Sequence, residues 1–159
     1  MKKTLGFSLI EIIMVMVIVG SISGIAALII TNGSIAYFQA KPIISLADKA
    51  NLAMTKLLRE LQSAESINAI GVDTISFTNQ QGDSVVFDVN GTTLEREANS
   101  SGANPLCNNV SNITFRYYDQ TLNATVAPAN VRFISVSLTL SDNNATYPLM
   151  SATAIRSLL

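Results

Sequence analysis

The sequence predicts an α+β protein, in which a long N-terminal helix with a transmembrane first half packs by its second half on an antiparallel β-sheet. Three patterns support this prediction. Residues 5 to 31 form an almost continuous apolar run, residues 43 to 64 repeat apolar side chains at spacings of four and three, and apolar and polar residues alternate from Thr74 onward. A sheet covered on one face by an amphipathic helix accounts for the last two patterns.

The apolar run predicts a membrane-spanning helix over residues 7 to 31. No charged side chain occurs from Ile12 to Ala40, and about 20 helical residues at about 1.5 Å each cover a hydrocarbon core of about 30 Å. A secretory signal peptide is the alternative, because Lys2 and Lys3 precede the run. In that class, however, the small-residue cleavage site follows the apolar region, whereas Gly6 precedes it here.

The start of the run carries a specific series of residues: Gly6, Phe7, Ser8, Leu9, Ile10 and Glu11. This series, followed by an uninterrupted apolar helix, resembles the type IV prepilins, a family of pilus subunits and of pseudopilins of type II secretion. The resemblance implies that residues 1 to 6 are a leader, that prepilin peptidase cleaves after Gly6, and that Phe7 becomes the N-methylated first residue. The segments LCNNVSNITFRYYD and SATAIRSLL resemble parts of the larger minor pseudopilins.

Glu11 is the only charged residue of the apolar run. A carboxylate at the centre of a membrane helix costs about 2.5 to 3.5 kcal/mol, so such a residue needs a partner. Without the leader no basic side chain lies within helical reach, and the amine of Phe7 is the nearest cation. The resemblance implies that this amine belongs to a neighbouring subunit, which makes Glu11 an assembly residue. Alternatively, Glu11 reaches the membrane interface and has no assembly role.

Residues 32 to 70 are predicted to continue the helix as an amphipathic segment. Weak helix formers at residues 31 to 34 and the proline at Pro42 predict a bend or an unwound turn between residues 31 and 42. Asn68 and Gly71 are predicted to mark the helix exit. A short coiled-coil seam is the alternative to packing on a sheet. The predicted buried stripe comprises Ile43, Ala47, Ala50, Met54, Leu57, Leu61 and Ala64.

Residues 71 to 159 are predicted to form one antiparallel sheet. Turns are expected at Gln81-Gly82-Asp83 and at Asn90-Gly91, and an edge strand is expected from Tyr147 to Ile155, with Pro148 near its start. Two longer connections, Ala98 to Asn109 and Asp119 to Asn130, are predicted to be exposed loops that contact partners. The apolar sides of the strands are Ile75 and Phe77; Val85, Phe87 and Val89; Ile113, Phe115 and Tyr117; and Ile134, Val136, Leu138 and Leu140.

The composition argues against an enzyme. There is no histidine, which excludes Ser-His-Asp and Cys-His arrangements, and no glycine-rich phosphate loop, so no cofactor is expected. The single cysteine, Cys107, excludes an internal disulfide and a multi-cysteine zinc site. Asp142-Asn143-Asn144 provides too few oxygen ligands for calcium, so no metal is expected either. Removing Lys2 and Lys3 makes the net charge about −3, which is unfavourable for nucleic-acid binding.

The predicted function is that of a structural subunit, a minor pilin or minor pseudopilin, of a type IV pilus or a type II secretion pseudopilus. The minor role is inferred because Ile25 to Ile30 lack the proline, and Cys107 lacks the cysteine partner, that many major pilins have. The expected partners are prepilin peptidase, other pilin or pseudopilin subunits, the inner membrane and its assembly platform. The expected location is the bacterial inner membrane, with a single span and a periplasmic domain that is later extracted into a fibre. The alternative is a membrane-tethered binding module, such as a DNA-uptake or adhesion pilin.

The first prediction concerns processing. The mature chain should begin at methylated Phe7, and replacement of Gly6 by leucine should leave uncut precursor, because the cleavage site needs a small residue at that position. Intact-mass measurement of membrane-extracted protein tests this. A mature protein that retains residues 1 to 6, or that is cut beyond Ile30, would contradict the prepilin interpretation.

Overall fold

A computed structural model describes residues 8–142 and 145–158 and confirms the α+β class. One long helix is followed by eight strands, and the part of the chain from Pro42 onward forms a compact unit with its own core, separate from the unit that ends at Lys41. The helix is α1 (Leu9–Gln62), and the strands are β1 (Ala64–Ile70), β2 (Ile75–Asn79), β3 (Ser84–Asn90), β4 (Thr93–Ala98), β5 (Asn104–Cys107), β6 (Val110–Tyr118), β7 (Phe133–Asp142) and β8 (Ala145–Ala154).

Helix α1 is continuous from Leu9 to Gln62 and includes Pro42. Of the bend or unwound turn predicted between residues 31 and 42, the unwound turn is therefore wrong, and the bend stays a prediction. A proline removes one hydrogen bond of the helix, which a helix of 54 residues tolerates. The weak helix formers before it are accommodated as well, because the hydroxyls of Thr31 and Ser34 donate to the carbonyls of Ala27 and Ile30 one turn earlier.

The helix ends at Gln62, and the predicted continuation to residue 70 is wrong because residues 64 to 70 form strand β1. Buried side chains in β1 are spaced by three residues, at Ala64 and Ile67, which imitates a helix. The structure explains this spacing by two irregularities in the pairing with β2, between Ala64 and Ser66 and between Ile67 and Ala69. A β-bulge adds one residue to a strand and shifts its buried face, so the expected period of two becomes three.

The buried face of α1 is close to the predicted stripe but begins later. Ala50, Met54, Leu57 and Leu61 are buried as predicted, whereas Ile43 is exposed and Ala47 is half-buried. Ala64 is buried, although it belongs to β1. The helix face is completed by Leu46 and Ala53. The core of the domain therefore starts at about Leu46, one turn after the position that the sequence indicated.

The strands form two antiparallel sheets, so the prediction of one sheet is wrong. The first sheet has the order β1-β2-β3-β4-β5 and the second the order β6-β7-β8. Strand β5 lies within the segment from Ala98 to Asn109, which was predicted to be a loop, and it pairs with β4. Only two residues separate β5 from β6, and Asn109 adopts a φ of 65°, which redirects the chain into the second sheet.

The predicted hairpin turns are confirmed with one adjustment. Gly82 has a φ of 85° between β2 and β3, and Gly91 has a φ of 62° between β3 and β4. Asn90 pairs with Thr93 as the last residue of β3, so Gly91 and Thr92 form the two-residue loop. Strand β8 lies at the edge of the second sheet, as predicted for residues 147 to 155.

Both sheets and the second half of α1 enclose one hydrophobic core. Its largest fully buried members come from the helix and from both sheets. The Tyr117 hydroxyl on β6 donates to the carbonyl of Gly71 at 2.8 Å, beside the β1–β2 turn, and thus joins the second sheet to the first. The Phe115 N–H donates to the carbonyl of Val72 at 2.7 Å in the same region. The alternating runs Ile113 to Tyr117 and Ile134 to Leu140 point into this core, as predicted.

The second prediction concerns the domain. A fragment lacking residues 1 to 34 should be soluble and folded, because it retains every residue of the core. In this fragment, Leu57→Asp should cost about 4 kcal/mol or more, since Leu57 is 1% exposed and a buried carboxylate there has no partner. Leu52→Asp on the same helix should cost less than about 1 kcal/mol because Leu52 is 73% exposed.

Urea unfolding followed by circular dichroism measures both costs. Equal destabilisation by the two substitutions would contradict the observed helix face. An aggregating parent fragment would mean that another subunit completes the core.

Candidate functional site

The first turn of α1 forms a capped helix start around Ser8 and Glu11. The Glu11 N–H donates to the Ser8 hydroxyl oxygen at 3.3 Å and to the Ser8 carbonyl at 3.1 Å. Ser8 therefore acts as an N-cap, and the Ser-x-x-Glu spacing is that of a capping box. A carboxylate in the first turn also complements the helix dipole. The Ser-x-x-Glu spacing is a local sequence signal for this cap, in addition to the assembly and interface roles predicted for Glu11.

The structure locates only part of the expected processing and assembly site. Gly6 and Phe7 lie outside the described residues, so the expected cleavage junction and the expected amine partner are not placed. Glu11 is exposed. Within residues 8–142 and 145–158, the recorded ion pair joins Glu60 and Arg96 and does not involve Glu11. The carboxylate is therefore available to a group that the described part of the chain does not provide.

The first half of α1 is exposed and has no charged side chain from Ile12 to Ala40. Every residue from Leu9 to Lys41 is exposed, including large apolar side chains from Leu9 to Phe38. By length and composition, this helix is sufficient to cross a membrane. Its polar side chains are largely satisfied within the helix, since the hydroxyls of Ser21 and Ser23 donate to the carbonyls of Ile18 and Val19 at 2.8 and 2.7 Å. This surface suits an apolar environment.

Two arginines of the domain, Arg96 and Arg132, are engaged in internal contacts. Arg96 Nε lies 2.7 Å from Glu60 Oε2, which fastens β4 to α1. Arg132 donates to the carbonyls of Ala129 and Val131, both at 2.9 Å. Arg116 lies on the solvent face of the second sheet. These separate engagements provide no support for the alternative of a DNA-capturing module.

Cys107 is a buried side chain of β5 in the hydrophobic core. Burial raises the pKa of its thiol, and the nearby Lys49 only partly opposes that effect. A reactive cysteine requires a lowered pKa and access to solvent. The position of Cys107 therefore fits a structural role in the core and does not suit a nucleophile.

The segment from Asp119 to Asn130 is an ordered surface loop that presents apolar side chains. The Asp119 carboxylate accepts hydrogen bonds from the Thr121 N–H at 2.8 Å and from the Asn123 N–H at 3.0 Å. Hydrogen bonds from Thr121 and Asn123 lower the pKa of Asp119. Leu122 and Val126 project from this loop and are exposed. The loop thus has the exposed position predicted for it.

Within the described ranges 8–142 and 145–158, no group of three or more His, Cys, Asp or Glu side chains is arranged to hold a metal ion. Asn143 and Asn144, which were considered as calcium ligands, lie outside these ranges.

No family model matches the chain, and no curated protein matches it. The functional interpretation therefore depends on the residues and on the geometry of the described chain.

The third prediction concerns Cys107. A maleimide reagent should label the folded chain at least 100-fold more slowly than the chain in urea, because the thiol is buried and its pKa is raised. A Cys107→Ala, Asn108→Cys variant is the matched control, since residue 108 is exposed. Rapid labelling of Cys107 in the folded chain would contradict its buried position.

Proposed function

We propose that the chain is a structural subunit of a type IV pilus or of a type II secretion pseudopilus. The observation that carries the proposal is the series from Gly6 to Glu11 joined directly to a helix that is uncharged from Ile12 to Ala40 and exposed up to Lys41. Such a helix needs an apolar environment that the described chain does not supply. The membrane is that environment before assembly, and the helices of neighbouring subunits are that environment in a fibre.

In this proposal, α1 has two successive functions along its length. Its first half anchors the chain in the bacterial inner membrane as a single span after prepilin peptidase has cut behind Gly6 and methylated Phe7. Its second half, from Leu46 to Leu61, belongs to the core of a periplasmic domain. The assembly platform then moves the subunit from the membrane into the fibre, and the folded domain moves with it because it does not depend on the membrane half for its core.

Glu11 pairs with the Phe7 amine of a neighbouring subunit in the proposed fibre. The interaction of a first-turn carboxylate with its own helix dipole contributes about 0.3 to 1 kcal/mol. An unpaired carboxylate in an apolar medium costs about 2.5 to 3.5 kcal/mol. The dipole therefore offsets only part of the cost in a helical bundle, and a cationic partner supplies the remainder. In the membrane alone, Glu11 lies near the helix start and can remain at the interface.

The fourth prediction concerns Glu11 and distinguishes its role in the fibre from its role in membrane insertion. Glu11→Ala should insert in the membrane and be cleaved like the unmodified chain, but its incorporation into purified fibres should fall at least tenfold, because the neighbouring amine loses its partner. Asp48→Ala is the matched control, since Asp48 is an exposed acidic residue on the same helix. Quantitative immunoblotting of membranes and of sheared fibres measures both steps.

Normal incorporation of Glu11→Ala would refute the pairing. A cleavage defect would instead assign the residue to recognition by the peptidase.

The same fibre preparations test the minor role, because the amount of this chain should be a small fraction of the amount of the most abundant subunit. Finding it as the main component would assign it as a major subunit.

A further inference from the structure

The outer edge of strand β8 leaves its main-chain N–H groups without partners in the described chain, whereas the outward carbonyl of Ala154 accepts a hydrogen bond from the Thr153 hydroxyl at 3.3 Å. The direction of these groups follows from two hydrogen bonds at the ends of the ladder. The Ser141 N–H of β7 donates to the Asn109 carbonyl at 2.8 Å, on the β6 side, and the Ile155 N–H donates to the Arg132 carbonyl at 2.9 Å, on the β7 side. Main-chain groups alternate in direction along a strand. Odd-numbered residues of β8 therefore face β7, and even-numbered residues face outward.

The pairing register supports this assignment. Because the Ser141 N–H points to the β6 side, the even-numbered residues of β7 face β8. Leu138 pairs with Leu149 and Val136 pairs with Ser151, so the odd-numbered residues of β8 form the ladder bonds. Pro148 has no N–H and occupies an outward position, where a proline costs no ladder bond. Beyond it, an unbroken stretch from Leu149 to Ala154 directs three N–H groups outward, those of Met150, Ala152 and Ala154.

The other sheet edges are less accessible among the described residues. Strand β1 is contacted by the short 3₁₀ helices at residues 128 to 130 and 156 to 158. Strand β6 donates from Phe115 to the Val72 carbonyl and accepts at Tyr117 from the Thr125 N–H at 3.0 Å. Strand β5 has only 4 residues and contains Pro105. Strand β8 has 10 residues, and none of the described backbone hydrogen bonds to segments outside the sheet involves them.

Strand β8 also lacks most of the features that usually protect an edge. Charged side chains, bulges and prolines prevent edge pairing in soluble proteins. No residue from Ala145 to Ala154 is charged, and the pairing with β7 runs through 10 residue pairs without a register shift. Pro148 protects only the first half of the strand. Pairing along the second half would require no charged group to leave water.

The solvent face beside this edge contains a site for an apolar side chain. Met150, which is 65% exposed, and Ala152 lie on that face. An adjoining groove of about 460 Å³ is bounded by Ala152 and Ala154 of β8, by Phe133 of β7 and by Leu122 of the loop. A strand added beside β8 would place its side chains about 4.5 to 5.5 Å from those of β8. One apolar side chain of that strand can therefore enter the groove beside the small side chains of Ala152 and Ala154.

We propose that the edge of β8 from Leu149 to Ala154 binds an extended, uncharged segment of another polypeptide, which adds a fourth strand to the second sheet and inserts an apolar side chain beside Ala152. The outward N–H and C=O groups of β8 can pair only with an extended backbone. Strand β8 has no charged side chain that could pair with a charge on the bound segment, and the groove accepts an apolar side chain. This interaction goes beyond the proposed function and requires neither cleavage after Gly6 nor pairing of Glu11.

Amide hydrogen exchange of the full chain in detergent micelles tests the proposal. The probe is a nine-residue peptide with an acetylated N-terminus and an amidated C-terminus. Its first seven residues copy Phe133 to Thr139 of β7, the strand that pairs with β8, and its last two are lysines for solubility. Without the probe, the amides of Met150, Ala152 and Ala154 should exchange rapidly, while those of Leu149, Ser151 and Thr153 are protected by β7. At saturating probe, the first set should slow at least tenfold. The same peptide N-methylated at all seven residues that copy Phe133 to Thr139 should have no effect, because it retains the side chains but loses the main-chain donors of both edges.

A pair of proline variants provides the matched control. Ala152→Pro removes an outward donor within the proposed stretch, as Pro148 already does before it, and should weaken probe binding about tenfold without unfolding the sheet. Thr146→Pro removes an outward donor that precedes Pro148 and therefore lies outside the proposed stretch. This variant should leave probe binding unchanged.

Any of four results would overturn the proposal. The first is unchanged exchange at millimolar probe, and the second is an equal effect of the N-methylated peptide, which would indicate adsorption by side chains alone. The third is slow exchange of the outward amides before the probe is added, together with a dimeric mass, since a second copy of the chain would then cover the edge. Equal effects of the two proline variants would likewise contradict the assigned stretch.

Discussion

The burial of one face of α1, from Leu46 to Leu61, is the interaction on which the folded domain depends. The two sheets share no paired strand, so the ladder hydrogen bonds of one sheet cannot position the other. The helix face contributes six buried residues to the core that both sheets enclose. Polar contacts reinforce this arrangement at its margins, through the ion pair of Glu60 with Arg96 and the bond of Tyr117 to Gly71. Removal of the helix face would expose the inner surfaces of both sheets.

The same helix changes its environment within its length. Up to Lys41 its side chains are exposed and largely apolar, and from Leu46 onward one face is enclosed by the chain itself. Pro42 lies at the start of the second compact unit, yet the helix continues through it. The helix assignment is continuous from the exposed apolar segment into the folded domain, and no loop separates them in the sequence. In the proposed function, the exposed segment would enter the membrane or the fibre, and the domain would stay folded because its core begins only at Leu46.

The surfaces available to partners differ in their physical character. The first half of α1 offers apolar side chains and the Glu11 carboxylate, so packing and one charge pair would determine its contacts. The free edge of β8 offers main-chain groups, so backbone hydrogen bonding would determine its contacts. The loop from Asp119 to Asn130 is held by the Asp119 carboxylate and projects Leu122 next to the groove beside β8. The two proposed modes of contact are thus chemically distinct and involve different segments of the described chain.

The sequence by itself determined the elements whose signal is local. The alternation from Ile134 to Leu140 identified a half-buried strand, Gly82 and Gly91 identified turns with positive φ, and the uncharged run identified the exposed half of α1. These features follow from side-chain periodicity and backbone sterics, which act over a few residues. The candidate cleavage and assembly residues Gly6, Phe7 and Glu11 also came from a local series, although the capping contact of Glu11 with Ser8 was overlooked.

Only the tertiary structure decided which strands pair and where the helix ends. Ala64 and Ile67 have a helical spacing, and the bulged pairing with β2 is what makes them part of a strand. Likewise, β5 becomes a strand because β4 presents it with a partner, and the division into two sheets follows from the turn at Asn109. The physical reason is the same in each case. A β-strand is stabilised by hydrogen bonds and packing with residues distant in sequence, so its existence depends on partners that a local pattern does not contain.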